Sequence, residues 1–149
     1  MAQPTQPFGG TRETILLVED HSVLLKLVKQ ILEDADFSVI PAKSAREAMR
    51  LEAEFQGTID LLLSDVRMRS KSGLDLAKTL TERRPQMRVV LMSGYPVRAS
   101  MVHRCGWHYI QKPFGPGALV DKIKAVLRSD GQPAHPPMAA GSASMGWLT

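Results

Sequence analysis

Five short apolar runs, each followed by a segment with helical periodicity, constrain this chain more than any other feature. The runs are TILLV (14–18), FSVI (37–40), DLLLS (60–64), RVVLM (88–92) and WHYI (107–110), all of strand length. Residues 21–34 repeat Leu24, Val28, Ile31 and Leu32 at helical spacing. Residues 44–55 place Ala48, Leu51 and Phe55 on one face, behind a Ser44 cap with Glu47 three residues on. Helical segments also read from Ser72 to about Arg83, stopped by Pro85, then over 96–104, and over 116–128 with Leu119, Ile123, Val126 and Leu127. Such alternation predicts an α/β protein, a doubly wound parallel sheet with right-handed crossovers and helices on both faces.

Composition sets the limits of the folded unit. The chain has 149 residues, 44% hydrophobic and 23% charged, and no apolar run approaches the ~18 residues of a membrane span. Residues 1–13 are Pro, Gly and polar and read as a flexible leader or linker. The Gly/Pro/Ala/Ser-rich residues 130–149 cannot bury enough apolar surface to fold alone, which leaves one domain over 14–129. The N-terminus lacks the apolar core of a secretory signal and Cys105 is the single cysteine, so a reducing cytoplasm is expected. The net charge of +4 is scattered, with no Lys/Arg run longer than two, and residues beyond 129 supply no reading helix for DNA. Direct nucleic-acid binding and membrane insertion are therefore not expected.

In a doubly wound sheet the site lies at the carboxyl ends of the strands, beside the topological switch point. Glu19 and Asp20 follow the first run, Asp65 the third, Ser93 the fourth and Lys112 the fifth. All five should converge at one edge. Crowded carboxylates raise one another's pKa values unless a cation intervenes. An all-oxygen donor set suits Mg²⁺, which commonly works with one or two carboxylates and a phosphate. An Asp in such a setting can attack phosphorus while a metal and a lysine neutralise the developing charge.

The motifs LLVED, DLLLSDVRM followed by SG, VLMSGY and YIQKPF, in that order at those strand ends, resemble the receiver domain of two-component response regulators. The resemblance implies a flavodoxin-like (βα)5 fold, its five-stranded parallel sheet in the order 2-1-3-4-5. It implies that Asp65 accepts a phosphoryl group from a phosphohistidine on a histidine kinase or phosphotransfer protein. Asp20 and Asp65 would ligate Mg²⁺ with the backbone carbonyl of Arg67, Glu19 acting directly or through water. Lys112 and Ser93 would bind the phosphoryl oxygens, Tyr109 would change rotamer, and a cis bond before Pro113 would aim the lysine. The switch would reshape the surface of the fourth helix, fifth strand and fifth helix for a downstream protein. The resemblance thus implies a signalling switch rather than an enzyme, monomeric or weakly dimeric. GGTRETILLVED also resembles the join before the C-terminal receiver of hybrid sensor kinases, so stand-alone and excised forms both fit.

The sequence departs from the family pattern at Arg69, where proline is usual, which puts an extra cation near the acids. Arg67 and Tyr95 fall where the family varies side chains that tune dephosphorylation. On the first helix Leu25 and Leu32 lie at the edge of a wide apolar arc and are expected to dock the kinase, with core burial as the alternative. Duller readings stay open: Asp20 as a helix cap, Ser93 as a turn residue, Tyr109 as a static core aromatic and Lys112 as a solvated strand-end lysine. His103, Cys105 and His108 are expected to reflect packing or exposure rather than a metal site, since His108 and Tyr109 point oppositely along a strand. A phosphorylation-independent interaction module is the alternative function. A Mg²⁺-dependent phosphatase would need an acid two residues beyond Asp65, where Arg67 stands.

Overall fold

The computed structural model describes residues 12–69, 71–94 and 105–129. Its strands are β1 (Thr14–Val18), β2 (Ser38–Ala42), β3 (Leu61–Asp65), β4 (Arg88–Ser93) and β5 (His108–Gln111). Its helices are α1 (Ser22–Asp34), α2 (Ala45–Glu54), α3 (Gly73–Arg83) and α4 (Pro116–Arg128). The expected helix over 96–104, like Tyr95, His103, the leader to residue 11 and residues 130–149, lies outside the described residues. The five strands form one parallel sheet in the order β2-β1-β3-β4-β5, the flavodoxin-like arrangement the sequence leads one to expect.

Both faces of the sheet are covered, so the central strands carry continuous apolar runs instead of alternating ones. Ile15, Leu17, Leu61, Leu63, Val90 and Met92 pack with Leu25, Val28 and Leu32 of α1 and Leu119, Ile123 and Val126 of α4. Leu16, Val18, Leu62, Val89 and Leu91 pack with Ala45 and Ala48 of α2 and Leu76, Ala77 and Leu80 of α3. Alternate residues of each strand thus feed opposite cores, as the two-residue period of a strand requires.

Local chemistry sets the ends of the elements. Ser44 Oγ accepts from Glu47 N at 3.0 Å, and Glu47 reaches back to the Lys43 amide at 2.7 Å. Helix α1 ends in a Schellman arrangement: Phe37 N donates to Leu32 O, Asp36 N donates to Glu33 O, and Asp36 adopts φ 72°. Strand β2 continues through Pro41, beyond the expected end at Ile40. It sits at the sheet edge, where a missing backbone donor is tolerated.

The docking expectation for Leu25 and Leu32 is corrected here. Leu25 is 9% exposed and Leu32 is fully buried, both within the α1/α4 core, whereas Val23 and Leu27 are 69% and 54% exposed. The arc of α1 is wide because the helix covers the sheet and also meets α4.

Candidate functional site

The sheet brings the acids together by ending its central strands at one edge. β3 runs one residue further than expected, so Asp65 is its last residue, paired in register with Met92 of β4. β4 ends at Ser93, in register with Gln111 of β5, and Lys112 N donates to Ser93 O at 2.8 Å just beyond the strand. Glu19 follows β1 and its amide donates to Ala42 O at 3.1 Å. The Lys112–Pro113 bond is cis.

At this edge Lys112 Nζ lies 2.9 Å from Glu19 Oε1 and 3.2 Å from Asp65 Oδ1. Glu19 is almost wholly buried, and its other oxygen, Oε2, accepts from the His21 amide at 3.1 Å. Asp20 does not cap α1: His21 is the N-cap, its ring accepting from Leu24 N. Asp20 Oδ2 instead accepts from Arg69 N at 3.1 Å, with Arg69 Nε at 3.6 Å.

Burial pushes the Asp65 carboxyl up to about 6, the Glu19 charge adds to the rise, and Lys112 opposes it. Burial alone would lower the Lys112 ammonium, yet its hydrogen bond to Glu19 and the charges of Glu19 and Asp65 outweigh that, and its pKa rises. One ammonium facing two buried carboxylates, with a third nearby, leaves room for more positive charge.

The donor set fits a hard divalent cation. Glu19, Asp20 and Asp65 each offer an oxygen within 4.8 Å of the others, and among the described residues they form the one group of three such side chains. Cys105 is buried in the α2/α3 core, and burial raises its thiol to about 11, so it behaves as a core residue.

The remaining candidates sit at varied depths. Ser93 is buried at the end of β4. Tyr109 is half-buried against the α2/α3 core and in register with Leu91. Arg67 is exposed and lines a surface groove with Val66, Met68, Arg69, Lys71 and Ser72.

Two features escaped the sequence reading. The His21 amide holds the free oxygen of Glu19, a backbone donor that no residue type announces. Gly73, the first residue of α3, donates its amide to Val66 O at 2.8 Å, and a Cβ there would collide with the Asp65 carbonyl oxygen. The SG pair after the acid loop carried that signal, since close backbone approach selects glycine.

A family model described as the response regulator receiver domain matches residues 15–124. Over 116 residues the chain is 36% identical to the transcriptional regulatory protein CpxR of Escherichia coli K12, spanning 76% of this chain and 49% of CpxR. It is 32% identical over 133 residues to the DNA-binding transcriptional regulator NtrC of Azospirillum brasilense, spanning 87% of this chain and 27% of NtrC. The chain therefore spans less than half the length of either relative. A CheY-like receiver domain protein from Methanospirillum hungatei JF-1 superposes with a TM-score of 0.70 at 30% identity, over 78% of this chain and 94% of that one. The receiver domain of the hybrid histidine kinase CckA gives 0.67 at 30% identity, over 77% and 99%.

Proposed function

The chain belongs to the response regulator receiver domain family, and from that premise we propose that Asp65 takes a phosphoryl group from a phosphohistidine of a histidine kinase or phosphotransfer protein. The observation that carries this reading is the convergence of Asp65, Glu19, Asp20 and Lys112 where the central strands end, with Lys112 bridging two of the acids. An Asp65 oxygen attacks phosphorus, the phosphorus–nitrogen bond breaks as the phosphorus–oxygen bond forms, and the imidazole, already protonated on its other ring nitrogen, leaves as the neutral base. Lys112, already 3.2 Å from Asp65, meets the charge gathering on the phosphoryl oxygens.

Glu19, Asp20 and Asp65, with the backbone carbonyl of Arg67, would hold Mg²⁺, which when bound supplies further charge neutralisation. Ser93 would donate its hydroxyl to the transferred group, and Lys112, aimed by the bond to Pro113, would pair with it. The half-buried Tyr109 would then turn inward, biasing a two-state surface that includes β5 and α4 and that a downstream protein reads. Arg67 and Tyr95 would tune hydrolysis of the acyl phosphate. The working unit would span 14–129 and act in the cytoplasm as a monomer or weak dimer. Among the described residues no helix is long and apolar enough to cross a membrane.

The test is intact-protein mass after incubation with Mg²⁺ and acetyl phosphate, beside Asp65→Asn and a chelator control. One added phosphoryl group, lost in both controls, supports the reading. An unmodified protein that still binds Mg²⁺ would favour a phosphorylation-independent docking module.

A further inference from the structure

The ion pairs at the acid edge are divided unevenly. Lys112 serves Glu19 and Asp65, while the cation paired with Asp20 is Arg69, on the loop that follows β3. Residue 69 grips Asp20 Oδ2 by two means, a backbone amide at 3.1 Å and a guanidinium at 3.6 Å. Proline, the residue expected here from the family pattern, would supply neither, since it lacks both the amide hydrogen and the charge.

We propose that Arg69 is a tether on Asp20 that competes with a divalent cation for the same carboxylate, setting the metal affinity of the site below what its acids alone would give. The inference rests on the metal-binding role proposed above for Asp20. A cation that takes Asp20 Oδ2 must displace the guanidinium or share the oxygen with it at close range, and like charges there oppose each other. The Arg69 side chain is 85% exposed, so solvent and salt weaken the tether. It adjusts affinity without closing the site. Because the charge sits on an exposed loop, the competition should fade as ionic strength rises.

The experiment is a Mg²⁺ titration of the full chain and of Arg69→Ala, followed by amide chemical shifts at fixed ionic strength, with Asp20→Asn as the reference for a lost ligand. Arg69→Ala should bind Mg²⁺ about two- to fivefold more tightly at low salt, the range an exposed ion pair can account for. That gap should narrow when ionic strength is raised from about 0.01 M to about 1 M, which shortens the screening length from roughly 30 Å to roughly 3 Å. Equal or weaker binding by Arg69→Ala at low salt, with wild-type binding intact and Asp20→Asn impaired, would overturn the tether and leave the proposed function standing. Failure of the wild-type chain to bind Mg²⁺ would overturn the metal site and the tether with it.

Discussion

At the scale of single residues the site is built from groups whose charges are poorly matched without an added cation. The raised pKa of Asp65 gives this a measurable consequence in metal-free protein. Between its ordinary value of 3.8 and about 6 the folded state holds a proton that the unfolded state has released, so this group's contribution to stability is lost as pH rises through that window. Above about pH 6 the folded protein carries the whole penalty. Asp65→Asn should therefore be more stable than wild type at neutral pH in chelator, by about 1 to 2 kcal/mol after allowance for solvent screening. The gap should shrink towards pH 4, and urea midpoints across that range measure it. Gly73→Ala acts on the same residue through the backbone. Its methyl group would collide with the Asp65 carbonyl, and we expect a loss of about 2 kcal/mol in urea unfolding together with slower phosphorylation. Glu19, Asp20, Asp65 and Lys112 were legible in the sequence because each stands within two residues of the end of an apolar run. Arg69 was legible as a cation near the acids, but the His21 and Arg69 amides that hold Glu19 and Asp20 were not, because backbone donors leave no compositional trace.

At the scale of elements, α2 and α3 are joined by a polar clamp. Arg84, which caps α3, donates to Glu52 Oε2 at 2.8 Å and to the carbonyls of Glu52, Phe55 and Gly57 at 3.2, 2.8 and 2.8 Å. Glu52 is buried and also meets Arg83 at 3.4 Å. Arg84→Ala would leave a buried carboxylate with its weaker partner and open the carbonyls at the end of α2. It should lower stability by about 2 to 3 kcal/mol in urea without changing the site of phosphorylation. The sequence revealed the kind and order of these elements, since helical and strand periodicities differ sharply. It misplaced several strand ends by a residue or two, because the central runs are apolar throughout and pairing alone decides where they stop. It also left Leu25 and Leu32 between a docking patch and the core, and they lie in the core. Periodicity gives the width of an apolar arc but does not say that a second helix covers its edge.

At the scale of the whole molecule, five parallel strands held between two helical layers make one rigid base for a site whose ligands come from distant points in the chain. Filling that site should therefore stabilise the entire fold. Mg²⁺ should stabilise the fold by about 2.7 kcal/mol at one hundred times its dissociation constant, the thermal midpoint should rise with Mg²⁺ concentration, and chelator should reverse the effect. Asp20→Asn should blunt it. Alternation made the parallel sheet and its two helical layers legible, while the strand order β2-β1-β3-β4-β5 was implied only by the motif resemblance, and the rule that doubly wound sheets act at their strand ends pointed to the acid edge. The central claim is that Asp65 carries the phosphoryl group. The most direct test is borohydride trapping after phosphorylation with Mg²⁺ and acetyl phosphate, followed by peptide mapping. Borohydride reduces an acyl phosphate to the alcohol, so homoserine should appear at position 65 and nowhere else. Homoserine at another aspartate, or a borohydride-resistant phosphoryl group on a serine, threonine or histidine, would contradict it.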